Sequence, residues 1–382
     1  MKMDSKYGTI LLIIFIDLLG FGILFPLLPF YAEKYTSSAI IITSLVSVYS
    51  LMQFISAPIL GHLSDRYGRK PLLIISQIGS SIGYIMLAFA NNIYILFISR
   101  IVDGITGGNI SIAEAYISDI SDKEERRKSM GLVGLAIGLG FMLGPVIGGV
   151  LGSINIMLPG LFAASMSLIA SIMVKLKLKE SLKKIHSEEY KLSHMFSALK
   201  MKNVGIIMIV GFLVVLSFTG FTSIFALFTQ KIFGYGEREN GFLFAYLGVI
   251  TLFVQGFLIR KFGNSFSDKL LLISSVITMS VGYALLIMIP SLSMKFALLL
   301  MGLGLVGIGF SLFNPSVRSL LTKRVEQTGK YLGILASYSS LARFVGPIFA
   351  GFFFEKISPI ASIQISFIIF MISIFLALKI ES

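Results

Sequence analysis

Four ionisable side chains stand where an apolar chain can least accommodate them. Asp17 lies within the apolar run 8–31, and Arg100, Asp103 and Glu114 lie within 93–117. A charged side chain inside hydrocarbon costs about 3 kcal/mol or more, so such groups turn toward partners, water or a cavity. In the second run Arg100, Asp103, Gly104, Gly107, Ser111, Glu114 and Ser118 recur at helical spacing, which predicts one polar stripe along a helix. A deep carboxyl can take up and release a proton, and a guanidinium beside it can favour the charged form. Asp17, Arg100, Asp103 and Glu114 are therefore candidates for a proton switch whose contacts change between conformations. Two plainer readings stand beside this one. Arg100 and Asp103 are i,i+3 neighbours able to form a structural pair, and Asp17 can make a helix-packing hydrogen bond.

The elements that hold these residues follow from composition. With 55% hydrophobic and 13% charged residues and a mean hydropathy of +0.90, the chain is far more apolar than a soluble domain. It is expected to be an all-α membrane protein. A bilayer crossing needs about 20 apolar residues, and such runs fit twelve times: 8–31, 39–60, 72–90, 93–117, 130–152, 156–174, 204–230, 240–259, 270–289, 294–317, 331–353 and 357–378, spans one to twelve. Span one carries Asp17 and lacks a small-residue cleavage site, so a retained helix is expected. Alternating the loops places 25 of the 32 Lys and Arg on the side of the N-terminus, which predicts that both termini are cytoplasmic. The net charge of +13 thus reports topology, and no nucleic-acid partner is implied. There are no cysteines, and His62, His186 and His194 lie in polar connectors, so thiol and cysteine-metal chemistry are excluded and no metal site or cofactor is expected.

The Lys-rich connector between spans six and seven divides the chain into bundles at 1–174 and 204–382, joined by a linker at 175–203. In the linker Leu192, Met195, Phe196 and Leu199 share a helical face. This fits an amphipathic helix on an anionic leaflet or a solvated linker. The halves also repeat. Gly61 and Gly68 recur as Gly256 and Gly263, Gly104 and Gly107 as Gly304 and Gly307, and Gly144-Pro145 with Gly149 as Gly346-Pro347 with Gly351. Such duplication is the architecture of transporters with a site between two rocking halves.

Three further features carry candidate roles. Between spans two and three, the run from Gly61 to Pro71 holds His62, Asp65, Arg66, Arg69 and Lys70, and is expected as a short loop at the membrane face with Gly61 and Gly68 as turn residues. In span five, Gly140, Gly144, Gly148 and Gly152 recur every fourth residue beside Gly149 and Pro145, which predicts a face that admits another backbone and a bend at the proline. In the second half, Arg343 lies deep in span eleven with no acidic residue in the apolar core around it. It is expected to hold an anionic substrate group or to neutralise a carboxylate of the first half. Phe221, Phe225 and Asn314 join it as candidate cavity residues. For the stripe Phe218, Phe221, Phe225 and Phe228, core packing is the competing reading.

Taken together these residues resemble the major facilitator superfamily, and more closely its twelve-span drug/proton antiporters, including tetracycline efflux proteins. Gly61-x-Leu63-Ser64-Asp65-Arg66-x-Gly68-Arg69-Lys70 resembles the superfamily's signature loop, with Ser64 where Ala is usual. Asp17-x-x-Gly20-x-Gly22-Ile23-x-x-Pro26-x-Leu28-Pro29 is similar to the antiporters' first-span motif. Arg100-x-x-Asp103-Gly104-x-x-Gly107 resembles their fourth-span motif, where Gln is commoner at position 103. Gly140-x-x-x-Gly144-Pro145-x-x-Gly148-Gly149 resembles the fifth-span signature of exporters. The resemblance implies the major facilitator fold, two pseudo-symmetric six-helix bundles. It also implies a role for Arg100 in proton coupling, and a cytoplasmic latch made by the Gly61–Lys70 loop with Asp119 beside it. Span three has no carboxylate, unlike tetracycline exporters, which argues against a metal-tetracycline substrate. The second copy of the loop lacks the aspartate, so the latch is expected to be asymmetric.

The expectation is a monomeric multi-pass protein of the cell membrane. It would be a proton-coupled efflux antiporter that exports hydrophobic or amphipathic small molecules by alternating access. No nucleotide-binding or hydrolytic motif is present, so it is not expected to be an enzyme. The alternatives are a proton symporter importing a small metabolite, which gradient-driven uptake would reveal, and a non-transporting receptor of the same fold, which would bind ligand without proton flux.

Overall fold

The computed structural model describes residues 5–120, 123–181, 199, 201–259, 266–292 and 294–381. Among these residues the regular elements are all helical. Twelve are long and apolar enough to cross a membrane: Gly8–Glu33, Ala39–Tyr67, Arg69–Ala88, Ile93–Ile120, Leu132–Ile154, Met157–Lys177, Lys202–Phe233, Glu237–Leu258, Asp268–Ser291, Lys295–Thr322, Lys330–Lys356 and Ala361–Leu378. Each coincides with one expected span. Of the amphipathic face expected in the linker, Leu192, Met195 and Phe196 lie outside the described residues, as do Arg260 and Gly263 of the second loop copy.

Two expectations about local structure need correction. The charged stretch from Gly61 is not a loop: span two stays helical through Tyr67, and span three starts at Arg69. Gly68 alone makes the turn, with a φ of 105° that favours glycine, and a Cβ there would collide with the Glu180 carboxylate. Gly61 lies inside the helix with open space where its side chain would be, so it turns nothing. A helix satisfies its own backbone, and charged side chains keep it soluble beyond the bilayer. An apolar run therefore marks membrane thickness and not the helix end. The helix of span five likewise begins at Lys123, well before its apolar part.

Span four is also not one continuous helix. It runs Ile93–Thr106 and resumes at Asn109–Ile120, with Gly107 and Gly108 between. The stripe expected from Arg100 to Ser118 is broken there. Carbonyls at the break find partners on span two: Gln53 Nε2 donates to Gly107 O at 2.9 Å and Ser56 Oγ to Gly104 O at 2.9 Å. A broken membrane helix is tolerated where such side chains take up its freed backbone groups.

The chain forms two compact units. The first comprises Met1–Ser37, Val48–Glu189 and Tyr235–Gly248, and the second Ser38–Ser47, Tyr190–Gly234 and Val249–Ser382. The start of span eight thus packs in the first unit and the start of span two in the second. In the first unit, Ile10, Ile13, Ile14, Leu72, Leu73, Tyr116, Val133 and Val174 form a core shared by spans one, three, four, five and six. The glycine face of span five lies on span one. A Cβ at Gly144 would stand 2.8 Å from Leu19 O and from Gly22 C, and one at Gly148 would collide with Ile23 O. Gly149 meets span eight instead, where a Cβ would stand 3.0 Å from Gly241 Cα. In the second unit, the Phe221 ring meets Phe225 edge-on at 5.3 Å and lies tilted 5.0 Å from Tyr283, which in turn meets Phe370 at 4.8 Å.

Candidate functional site

Two polar clusters lie in the first unit. The first is built on spans one, three and four. Asp17 is half-buried, and its Oδ1 accepts from Asn109 Nδ2 at 2.7 Å and from Gln77 Nε2 at 3.4 Å. Both amides are buried, and neither Asn109 Oδ1 nor Gln77 Oε1 has a hydrogen-bond partner among the described residues. Asn109 reaches Asp17 because the break at Gly107 and Gly108 starts a new helix at that residue. Arg100 turns instead to Asp103: its Nη1 lies 3.2 Å from Asp103 Oδ2, with both side chains only 4% exposed. The guanidinium also lies 5.9 Å from the Tyr84 ring centre, and its Nη2 has no hydrogen-bond partner among the described residues.

The arrangement separates two charges that the stripe alone ran together. Arg100 and Asp103 neutralise one another in a dry pair, where removing one partner would strand the other. Among the described residues, Asp17 is held by neutral donors only. A carboxylate bonded by amides is not tied into an ion pair. Glu114 falls on the helix after the break, half-buried, and not on the segment that carries Arg100 and Asp103.

The second cluster joins the end of span two to spans three, four and six. Arg69, only 8% exposed, has Nη2 2.6 Å from Asp65 Oδ1, Nε 3.2 Å from Asp119 Oδ2, and donates from Nη1 to Ser64 Oγ at 2.6 Å. Ser64, where the resembling motif usually has Ala, thus gives the guanidinium a third acceptor. The segment after span six closes the cluster. Glu180 accepts from the backbone N–H of Arg69 at 2.8 Å and of Lys70 at 3.1 Å, and Ser181 Oγ donates to Asp119 at 2.9 Å. A carboxylate on the first N–H groups of a helix satisfies orphan donors and the helix dipole together. Arg66 is exposed beside the Tyr67 ring, and Lys70 is half-buried.

Known proteins match this chain over most of its length. The sequence profile of the Major Facilitator Superfamily covers residues 10–347. The chain belongs to that superfamily. Relatives include the tetracycline resistance protein, class H, of Pasteurella multocida, 30% identical over 365 residues and covering 92% of this chain and 90% of that one. Multidrug resistance protein 2 of Bacillus subtilis (strain 168) is 27% identical over 368 residues, covering 93% and 91%. Among solved structures, the human organic anion transporter MFSD10 matches with a TM-score of 0.74 at 22% identity, covering 97% of this chain and 98% of that one. The nucleoside transporter NupG matches with 0.81 at 15%, covering 99% and 98%. The protein is therefore a major facilitator transporter for small molecules, a multi-pass membrane protein and not an enzyme.

In the second unit the candidate cavity residues part company. Phe221 and Phe225 are 1% and 0% exposed and belong to the aromatic core, so in this structure they line no surface. Arg343 is exposed, with Nη2 donating to Ser340 Oγ at 3.1 Å, and Asn314 is half-buried. Phe218 and Phe310, both half-buried, lie with parallel rings 3.6 Å apart. Sequence reasoning passed over Gln77, Asn109 and Glu180. Amides inside apolar runs were a usable signal for the first two; Glu180 has none, because its partners lie 111 and 110 residues away.

Proposed function

We propose that this transporter is a proton-coupled antiporter that exports hydrophobic or amphipathic small molecules by alternating access, with both termini in the cytoplasm of a cell membrane. The observation that carries it is the half-buried Asp17 carboxylate, bonded by two neutral amides while Arg100 is bound to Asp103. Asp17 is the proton carrier in this reading. Relatives named for tetracycline and multidrug resistance support export, and the spread of their names supports a broad apolar substrate class. The two six-helix halves of the sequence are the rocking bodies. The Asp65, Arg69, Asp119 and Glu180 cluster prepares the latch, with Asp65 docking on the N-terminus of span eleven near Lys330 when the cytoplasmic side closes. Arg343 and Asn314 contribute to the substrate cavity.

The test is proton movement in everted vesicles. Adding an exported compound should dissipate an imposed pH gradient, and Asp17→Asn should abolish this while keeping the protein folded and ligand-binding. Normal exchange in Asp17→Asn removes the carrier assignment. Uptake driven by the gradient in right-side-out vesicles would instead establish import.

A further inference from the structure

We infer that Glu355 is a second lock, acting on the end of span two opposite to Asp65; the inference rests on the alternating-access reading above. Glu355 is the penultimate residue of span eleven. Its Oε2 accepts from Ser38 Oγ at 2.5 Å and from the backbone N–H of Ile40 at 3.1 Å, while its Oε1 lies 3.1 Å from Lys356 Nζ. Span two begins at Ala39, so the Ile40 N–H is one of its orphan first-turn donors. A carboxylate there satisfies the donor and meets the positive end of the helix. One turn before it, Gly351 lets the two backbones touch: a Cβ there would stand 2.9 Å from Ala39 O and collide with Thr43 Oγ1. The crossing is thus backbone against backbone, tied at its rim by Glu355.

Spans two and eleven are an even and an odd crossing, so they run in opposite directions through the membrane. Each carries a carboxylate in its last turn, Asp65 on span two and Glu355 on span eleven. The Asp65 lock belongs to the state closed near Lys330, and the Glu355 lock to the state closed near Ser38. Here the Ser38 end is engaged, and Asp65 is occupied by Arg69 at 2.6 Å. The same pair of helices, capped alternately at its two ends, gives each state a stabilising contact that the other lacks.

The chain has no cysteine, so one introduced thiol reports cleanly. Thr43, 0% exposed beneath the crossing, is the reporter site. Maleimide labelling of purified Thr43→Cys in detergent is compared with the same protein carrying Glu355→Ala, Ser38→Ala or Lys356→Ala. Losing a cap of this kind shifts a two-state population by about tenfold. Glu355→Ala should therefore label about tenfold faster and Ser38→Ala severalfold faster, whereas Lys356→Ala, which leaves the cap intact, should stay within about twofold. Should Glu355→Ala fail to fold, Glu355→Gln keeps an acceptor, loses the charge and should still label about threefold faster. An unchanged rate in Glu355→Ala, or an equal rise in Lys356→Ala, overturns the lock. Labelling needs neither substrate nor a gradient, so loss of proton exchange in the vesicle assay would leave this result standing.

Discussion

Asn109 reaches Asp17 across two spans with a 2.7 Å hydrogen bond, and it does so from the first turn of a helix that begins at the Gly107 break. The amide donates to the carboxylate oxygen and so fixes where the carboxyl group sits. A hydrogen bond to a charged group contributes about 1.5–3 kcal/mol. Asn109→Ala should therefore lower substrate-driven proton exchange at neutral pH by about tenfold or more, with binding of the exported compound retained. Fluorescence quenching in everted vesicles, read beside a binding isotherm, checks both halves of this expectation.

Arg69 serves Asp65, Asp119 and Ser64 with three different nitrogens. Lysine has one compact ammonium group and cannot hold that fork, so Arg69→Lys is not conservative here. Transport should fall severalfold, while Ser64→Ala, which removes one neutral acceptor, should cost only about 1 kcal/mol of stability and little activity. Initial rates of efflux and melting temperatures of the two variants separate these outcomes. Equal transport by Arg69→Lys and the parent would mean that the fork has no role in the cycle.

Glu180 is tested by a different contrast. Its carboxylate caps Arg69 N and Lys70 N, so Glu180→Ala strips two first-turn acceptor contacts from span three and should destabilise the protein by about 1–2 kcal/mol. Gln keeps an oxygen but brings an amino group against the second N–H, and should recover only part of the loss. Full stability in Glu180→Ala would show that water serves these donors equally well.

How far each of these residues could be read in advance follows from the cost of misplacing it. Asp17, Arg100 and Asp103 stand out because charge in an apolar run is expensive, and the pairing of Arg100 with Asp103 follows from their spacing of three. The glycine face of span five is legible for a related reason, since four-residue periodicity has few uses besides close packing. Gln77 and Asn109 are less visible because neutral amides also occur as plain packing contacts. The helical state of the Gly61 stretch is hidden because hydropathy reports where the bilayer ends and not where the backbone turns. Glu180 and Glu355 act on partners far away in sequence, and no local pattern encodes them.

Span five supplies an internal control for its packing. Gly148→Ala drives a Cβ into Ile23 O, and backbone there has little room to give, so the substitution should destabilise by about 1–3 kcal/mol or more. Gly134, on the same helix, has nothing within 4 Å of an added Cβ. Gly134→Ala should be neutral or stabilise by up to about 1 kcal/mol through helix propensity. Thermal unfolding in detergent of the two variants decides between close approach and a merely flexible helix, for which both substitutions would stabilise.

The two phenylalanine groups of the second half make opposite predictions. Phe221 is fully buried against Phe225 and Tyr283, so Phe221→Ala should cost about 3–5 kcal/mol of stability, and the milder Phe221→Leu should lower the melting temperature without changing which compounds are exported. Phe218 and Phe310 stack while both are only half-buried, leaving a surface that flat apolar molecules can meet. Phe310→Leu should therefore cost little stability yet alter the relative export of aromatic and aliphatic compounds. A panel of such compounds, measured in the same cells against melting curves of the purified variants, tells the two apart. An altered export profile in Phe221→Leu at unchanged stability would return Phe221 to the substrate cavity.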